Sequence, residues 1–176
     1  MSNYRRPHEP GGVYFFTVVS QGRRPLLTTP EIRQALRDSI IQVRRHYPFR
    51  IHAWVLLPDH LHCLWELPSG DAAFGLRWAL IKRGVSQRWR TLDPLNRSQQ
   101  QRRENGLWQR RFWEHRIRNP QDYQRHMDYL HWNPVKHGLV ERVADWPWSS
   151  FQQLAKAGVY PPDWGGDAGP PGSFGE

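Results

Sequence analysis

The sequence has one cysteine, Cys63, so no intrachain disulfide can form and a reducing compartment fits. No apolar run approaches the roughly 18–20 residues of a membrane span. Met1 to Gly12 is polar and basic, with no apolar core of a signal peptide. These absences argue against secretion and membrane insertion and lead to the expectation of a cytoplasmic protein. There is no HExxH pattern and no cysteine cluster, which removes the familiar zinc signatures. No internal repeat is visible. Lysine and arginine are absent after Lys156, and residues 158–176 carry six Gly, four Pro and the acids Asp163, Asp167 and Glu176. That composition predicts an acidic tail without regular structure. The expected organisation is therefore one domain over residues 1–157 and a Gly/Pro-rich tail over 158–176.

What is present points to a nucleic-acid partner. A chain of 176 residues can bury a sizeable core without metals or disulfides. The 25 Lys+Arg exceed the 16 Asp+Glu by nine, and there are ten tryptophans. Phosphates attract the charge and bases stack on the aromatics. Residues 77–118 hold twelve Lys+Arg against Asp93, Glu104 and Glu114, which equals the whole net charge. Trp78, Trp89, Trp108 and Trp113 lie among these cations. Nucleic-acid contact is one reading of the segment. A solvated helix face with core tryptophans is the other.

The hydrophobic pattern predicts strands at 13–20, 50–57, 61–67 and 112–118. It predicts helices from Thr29-Pro30 to His46, from Asp71 as cap to Arg90, from Asn119-Pro120 to Asn133, and over 149–156. Pro134 is expected to end the third helix. Gly84 lies inside the second, and residues 91–107 read as a polar loop. The order βαββαβα predicts an α+β, ferredoxin-like sandwich, an antiparallel sheet with helices on one face.

Two places carry chemistry. The third strand reads His60-Leu61-His62-Cys63-Leu64-Trp65-Glu66-Leu67. With period-two alternation, Leu61, Cys63, Trp65 and Leu67 form an apolar face, and His60, His62 and Glu66 share the other. The imidazoles are then neighbours that could converge on one metal ion or phosphate, or stand as two surface histidines on an open sheet face. On the third helix, Tyr123, Met127 and Leu130 form the core stripe, and Tyr129 lies well off it with Asn133 one turn on. That pair suits a nucleophile beside a metal ligand. It suits equally an amphipathic tyrosine at the core edge followed by an ordinary helix-end asparagine.

The ordered set of motifs resembles the single-tyrosine HUH transposases, and among them the REP-associated tyrosine transposases of bacteria. His60-Leu61-His62 matches their His-hydrophobe-His motif inside WVLLPDHLHCLWELP. The opening YRRP with GGVYFFTV, then WQRRFWEHRIRN, DYQRHMDYLHWNPVKHGLV and DWPWSSF, also match. The resemblance runs from residue 4 to about 164, and it places the histidine motif on a central strand and the nucleophile on a C-terminal helix. It implies Tyr129 as the nucleophile that leaves a 5′-phosphotyrosine and a free 3′-hydroxyl. It implies His60, His62 and Asn133 as ligands of Mg²⁺ or Mn²⁺ that polarises the scissile phosphate. The implied partner is single-stranded DNA folded into a hairpin, the repetitive extragenic palindrome, with a tetranucleotide beside its foot. Tyr4, Arg5 and Arg6 are candidates to read that tetranucleotide. By charge, Arg77, Lys82, Arg83, Arg110, Arg111, Arg116 and Arg118 are assigned to DNA. A bacterial, nucleoid-associated location is implied, and the chain would act as a monomer or homodimer.

Two rivals remain. A hairpin DNA- or RNA-binding module without cleavage accounts for the composition equally well. A zinc hydrolase using His60, His62 and Glu66 or Asp59 fits the ligand types, without the usual sequence pattern.

Overall fold

The structure is a computed structural model, and it describes residues 10–89 and 106–165. Strand β1 (Val13–Val19) is followed by α1 (Pro30–His46), β2 (Arg50–Leu56), β3 (His60–Glu66), α2 (Phe74–Arg88), β4 (Trp113–Arg116), α3 (Pro120–Lys136) and α4 (Phe151–Lys156). Every strand pairing is antiparallel and the sheet order is β2-β3-β1-β4. The histidine strand β3 is therefore interior, as expected.

The sheet is covered on both faces, where helices on one face were expected. Tyr14, Phe16 and Val18 of β1 join Leu61, Cys63 and Trp65 of β3 under α1 and α2, with Ile32, Leu36, Trp78 and Ile81. Phe15, Ala53, Val55 and Leu64 look the other way, onto Met127, Tyr129 and Leu130 of α3 and Phe151 of α4. The reason lies in β1. Its run VYFFTVV is apolar on both sides, as a strand buried on both faces must be. Period-two alternation in β3 was correct, but the face bearing the histidines is buried and not open.

Three details position the site. A register shift between Ile51 and Ala53 makes His52 a bulge. Ile51 therefore serves the α1/α2 side and Ala53 the α3 side despite equal parity. The exposed edge of β2 is closed by the DWPWSSF segment: Leu56 N donates to Trp148 O (2.8 Å), and Ser150 N donates to Trp54 O (2.9 Å). Gly84 is needed where α1 and α2 cross, because a Cβ there would stand 2.5 Å from Ser39 Oγ.

Two boundaries differ from expectation. Helix α3 continues through Pro134 to Lys136. Pro134 falls in the final turn, and beyond it Leu139 N donates to Pro134 O and Gly138 N to Val135 O, both 2.9 Å. Gly138, at φ +65°, supplies the left-handed residue this cap requires. The packed domain also runs past residue 157. Tyr160 is buried against Phe151 and Trp164, and its hydroxyl donates to Asp128 Oδ1 at 2.7 Å. The remaining tail, residues 166–176, lies outside the described residues, as does most of the expected polar loop, residues 90–105.

Arg77 is a correction. It was assigned to DNA, yet it is 1% exposed. Its guanidinium donates to Asp71 (2.6 and 3.1 Å) and to the carbonyls of Tyr47, Pro48 and Ala73. Asp71 accordingly does not cap α2 through its side chain. It accepts from Arg77 and from Ala73 N ahead of the helix. Arg77→Met is expected to lower unfolding free energy by about 3 kcal/mol, because it strands these acceptors. Urea denaturation reads this. Unchanged stability with a selective loss of DNA affinity would contradict it.

Candidate active site

His60 and His62 are 1% and 0% exposed, and their rings lie 4.9 Å apart at 81°. Each Nδ1 is held by a neighbour. Asp59, in the turn before β3, lies 2.6 Å from His60 Nδ1. Burial opposes ionisation of Asp59, but its hydrogen bond and charge interaction with His60, and then Arg23 at 3.2 Å, outweigh it and lower the carboxyl to about 2. An ionised carboxylate only accepts, so His60 Nδ1 is the donor in this contact, and the contact fixes the orientation of the ring. Thr17 of β1, opposite His62 in the sheet register, holds His62 Nδ1 at 2.9 Å.

Helix α3 supplies the rest. Tyr129 is 1% exposed and its ring lies 5.4 Å from that of His62. It was expected off the core stripe, and the structure turns it inward. Tyr129 and His126 both meet Phe15 of the sheet, so the sheet-facing arc of α3 is rolled toward them, while His131 meets Phe151 and Tyr160. Tyr123, expected in the core, is half-buried at its margin. Its hydroxyl pairs with His52 Nδ1 (2.8 Å), and His52 Nε2 pairs with Glu66 (2.9 Å). Asn133 is fully buried. Its Nδ2 lies 3.4 Å from Tyr129 O, and its Oδ1 has no hydrogen-bond partner. His60 Nε2 is likewise buried without one. An imidazole nitrogen and an amide oxygen, both buried and without a hydrogen-bond partner, are donor types that a divalent cation of this class accepts. The donor set therefore fits Mg²⁺ or Mn²⁺. Lys136, in the last turn of α3, donates to Tyr129 Oη at 3.2 Å. His137 stands 5.1 Å from the His60 ring.

Residues 12–118 of the chain match the family described as "Transposase IS200 like". Over 167 residues, 95% of the chain and 93% of the relative, it is 47% identical to the REP-associated tyrosine transposase of Escherichia coli K12. The chain belongs to the IS200-like transposases. A putative REP-associated tyrosine transposase of Haemophilus influenzae Rd is 46% identical over 168 residues, 95% of each chain. A solved structure described as a REP-associated tyrosine transposase bound to a REP hairpin superposes with a TM-score of 0.83 at 46% identity, covering all of this chain and 98% of that one. The expected group of REP-associated tyrosine transposases is thereby borne out, and with it an enzyme of α+β fold.

The residues expected to contact DNA differ in their surroundings. Tyr4, Arg5 and Arg6 lie outside the described residues. Arg83, Arg110 and Arg111 are exposed, and Arg116 is half-buried on β4. Lys82, like Arg77, is used internally: its Nζ donates to Gln109 O (2.5 Å) and Arg110 O (3.3 Å), fastening α2 to the segment before β4. Trp78 and Trp108 are buried and Trp89 is half-buried. Trp113, at 37% exposed, is the one tryptophan of the described part of the basic segment that presents an open surface.

A second group with metal-ligating atoms, His115, Asp122 and His126, escaped the sequence reading; those atoms lie within 4.8 Å of one another. Asp122 Oδ2 already accepts from His115 Nε2 (2.9 Å), Arg118 N (3.0 Å) and Arg118 Nε (3.0 Å). Burial opposes its ionisation, but Arg118 and then His115 win, and the carboxyl is held well below the usual range. Arg118, expected to serve DNA, is thus tied to this cluster, which clamps β4 to the first turn of α3.

His131, on the far side of α3, pairs with Ser150 Oγ at 3.0 Å, and burial lowers its pKa to about 4. Between an unfolded value of about 6.5 and that folded value, the unfolded chain binds a proton that the folded chain does not. Stability contributed by neutral His131 is therefore present above about pH 6.5 and lost as pH falls toward 4, by roughly 3 kcal/mol. Urea denaturation across pH 7 to 4 reads this. His131→Gln should flatten the decline, and an equally steep decline in that variant would contradict it.

Proposed function

We propose that this transposase is a metal-dependent single-stranded DNA endonuclease and strand transferase. Its substrate would be a palindromic REP hairpin with an adjacent tetranucleotide, and its intermediate a 5′-phosphotyrosine on Tyr129. The observation that carries the reading is the buried cluster of His60, His62 and Tyr129 within a single chain, with buried Asn133 one turn beyond Tyr129 on the same helix. The hairpin comes from the relative solved with one.

Tyr129 Oη releases its proton to solvent and bonds to the phosphorus, the P–O3′ bond breaks, and the departing 3′-oxygen takes up a proton. In strand transfer a 3′-hydroxyl attacks the same phosphorus, the Oη–P bond breaks, and the phenol is regenerated. One phosphoester is made for each one broken, so no external energy source is needed. His60, His62 and Asn133 would hold Mg²⁺ or Mn²⁺, whose chemistry is to polarise the scissile phosphate and offset its charge. Asp59 and Thr17 fix the two imidazoles for that role. Because Tyr129 is 1% exposed, a phosphodiester reaches Oη only once side chains over it shift. Arg83, Arg110 and Arg111 are the exposed cations available to phosphates, Arg116 remains a half-buried candidate, and Trp113 is available to an unpaired base.

Nucleophile and histidines from one chain support a monomer competent to cleave, acting in the bacterial cytoplasm at the nucleoid. No helix among the described residues is long and apolar enough to cross a membrane. The test is incubation with labelled single-stranded REP hairpin DNA and Mn²⁺ or Mg²⁺. A denaturation-resistant, metal-dependent adduct is expected. Tight binding with no adduct would make the protein a hairpin-binding module instead.

A further inference from the structure

Helix α3 runs two residues beyond the proline that was expected to stop it, and the residue gained at its end touches the candidate nucleophile. Lys136 follows Tyr129 by seven positions, two turns on the same face. Its Nζ donates to Tyr129 Oη at 3.2 Å and lies 4.9 Å from the centre of the phenol ring. The cap formed by Gly138 and Leu139 holds the final turn in place, so the ammonium is presented by a fixed element. Had the helix ended at Asn133, Lys136 would sit on a loop with no defined relation to Tyr129.

We propose that Lys136 is a further catalytic residue, the cation that stabilises charge on Tyr129 Oη as its bond to phosphorus forms and breaks. This deepens the function proposed above and rests on it. During cleavage the phenol oxygen enters as the electron-rich partner, its proton passing to solvent, and becomes a bridging ester oxygen. During strand transfer the incoming 3′-oxygen forms its bond to phosphorus, the Oη–P bond breaks, and the electron pair returns to Oη. Negative charge is largest on that oxygen at this point, and an ammonium already hydrogen-bonded there meets it without reorganisation. Lys136 keeps its own protons throughout. The leaving 3′-oxygen is a different atom, and the inference assigns Lys136 no part in protonating it.

The experiment compares wild type with Lys136→Met and Lys136→Gln on hairpin DNA. One substrate is normal at the scissile bond, and a second carries sulfur in place of the bridging 3′-oxygen. Single-turnover adduct formation, rejoining of isolated adduct to a 3′-hydroxyl strand, and hairpin Kd are measured for each. Both variants should lose about 10²-fold in adduct formation and rejoining, the scale for removing one positioned donor from a developing anion. The loss should be equal on the oxygen and sulfur substrates, with Kd unchanged. Wild-type adduct with full rates in both variants would overturn the inference alone. So would a loss that vanishes with sulfur, which places Lys136 on the leaving group, or a loss confined to Kd, which makes it a phosphate contact. Failure of wild type to form any adduct would overturn the proposed function and this inference together.

Discussion

Tyr129→Phe is expected to abolish the covalent DNA adduct, lowering its rate of formation by roughly 10³-fold or more, to background. Hairpin affinity and the urea midpoint should stay close to wild type. The physical basis is that phenylalanine keeps the packed ring against Phe15 and His62 and removes only Oη and its bond to Lys136. Tyr123→Phe is the internal control. Tyr123 lies on the same helix, but its hydroxyl is engaged with His52 at the opposite end of the histidine strand. That variant should keep full adduct formation. If Tyr129→Phe cleaved at the wild-type rate, the nucleophile would have to be sought elsewhere.

His60→Ala should abolish metal-supported cleavage and lower the affinity for Mn²⁺, counted directly by electron paramagnetic resonance. Asp59→Ala should weaken Mn²⁺ by about 10–100-fold without removing a ligand, as loss of a group that orients a metal-bound imidazole does. Asp59 holds His60 Nδ1 at 2.6 Å, so its loss frees the ring to rotate. The ranking of the two variants is the informative part. Equal and complete loss in both would make Asp59 a ligand in its own right, and unchanged Mn²⁺ affinity in His60→Ala would remove the metal from this cluster.

Much of the frame was legible because short-range rules govern it. Alternation in His60–Leu67 separated the faces correctly, and Asn119-Pro120 marked the start of the tyrosine helix, with Asn119 Oδ1 accepting from Asp122 N at 2.8 Å. The misses came from long-range packing. Nothing local in β3 says that a second layer of helices covers its histidine face; that information was in β1, where Phe15 and Phe16 point opposite ways. A helical wheel for α3 gives the spacing of its residues but not how the helix is rolled onto the sheet; the arc that meets Phe15 and His62 includes His126 and Tyr129, which is why Tyr129 is buried. Charge alone cannot distinguish Arg77, locked among carbonyls, from Arg83, which faces outward. Pro134 misled most. Its restriction on the preceding residue is a tendency that a helix's final turn can absorb, and accepting it as a stop hid the approach of Lys136 to Tyr129.

The most direct measurement is to trap the covalent complex with labelled hairpin DNA, digest the protein, and locate the nucleotide by mass spectrometry. Phosphodeoxynucleotide on the peptide containing Tyr129, attached at that residue and through a 5′-phosphate, is the predicted result. Attachment at Tyr123, at a serine or histidine, or through a 3′-phosphate would contradict it.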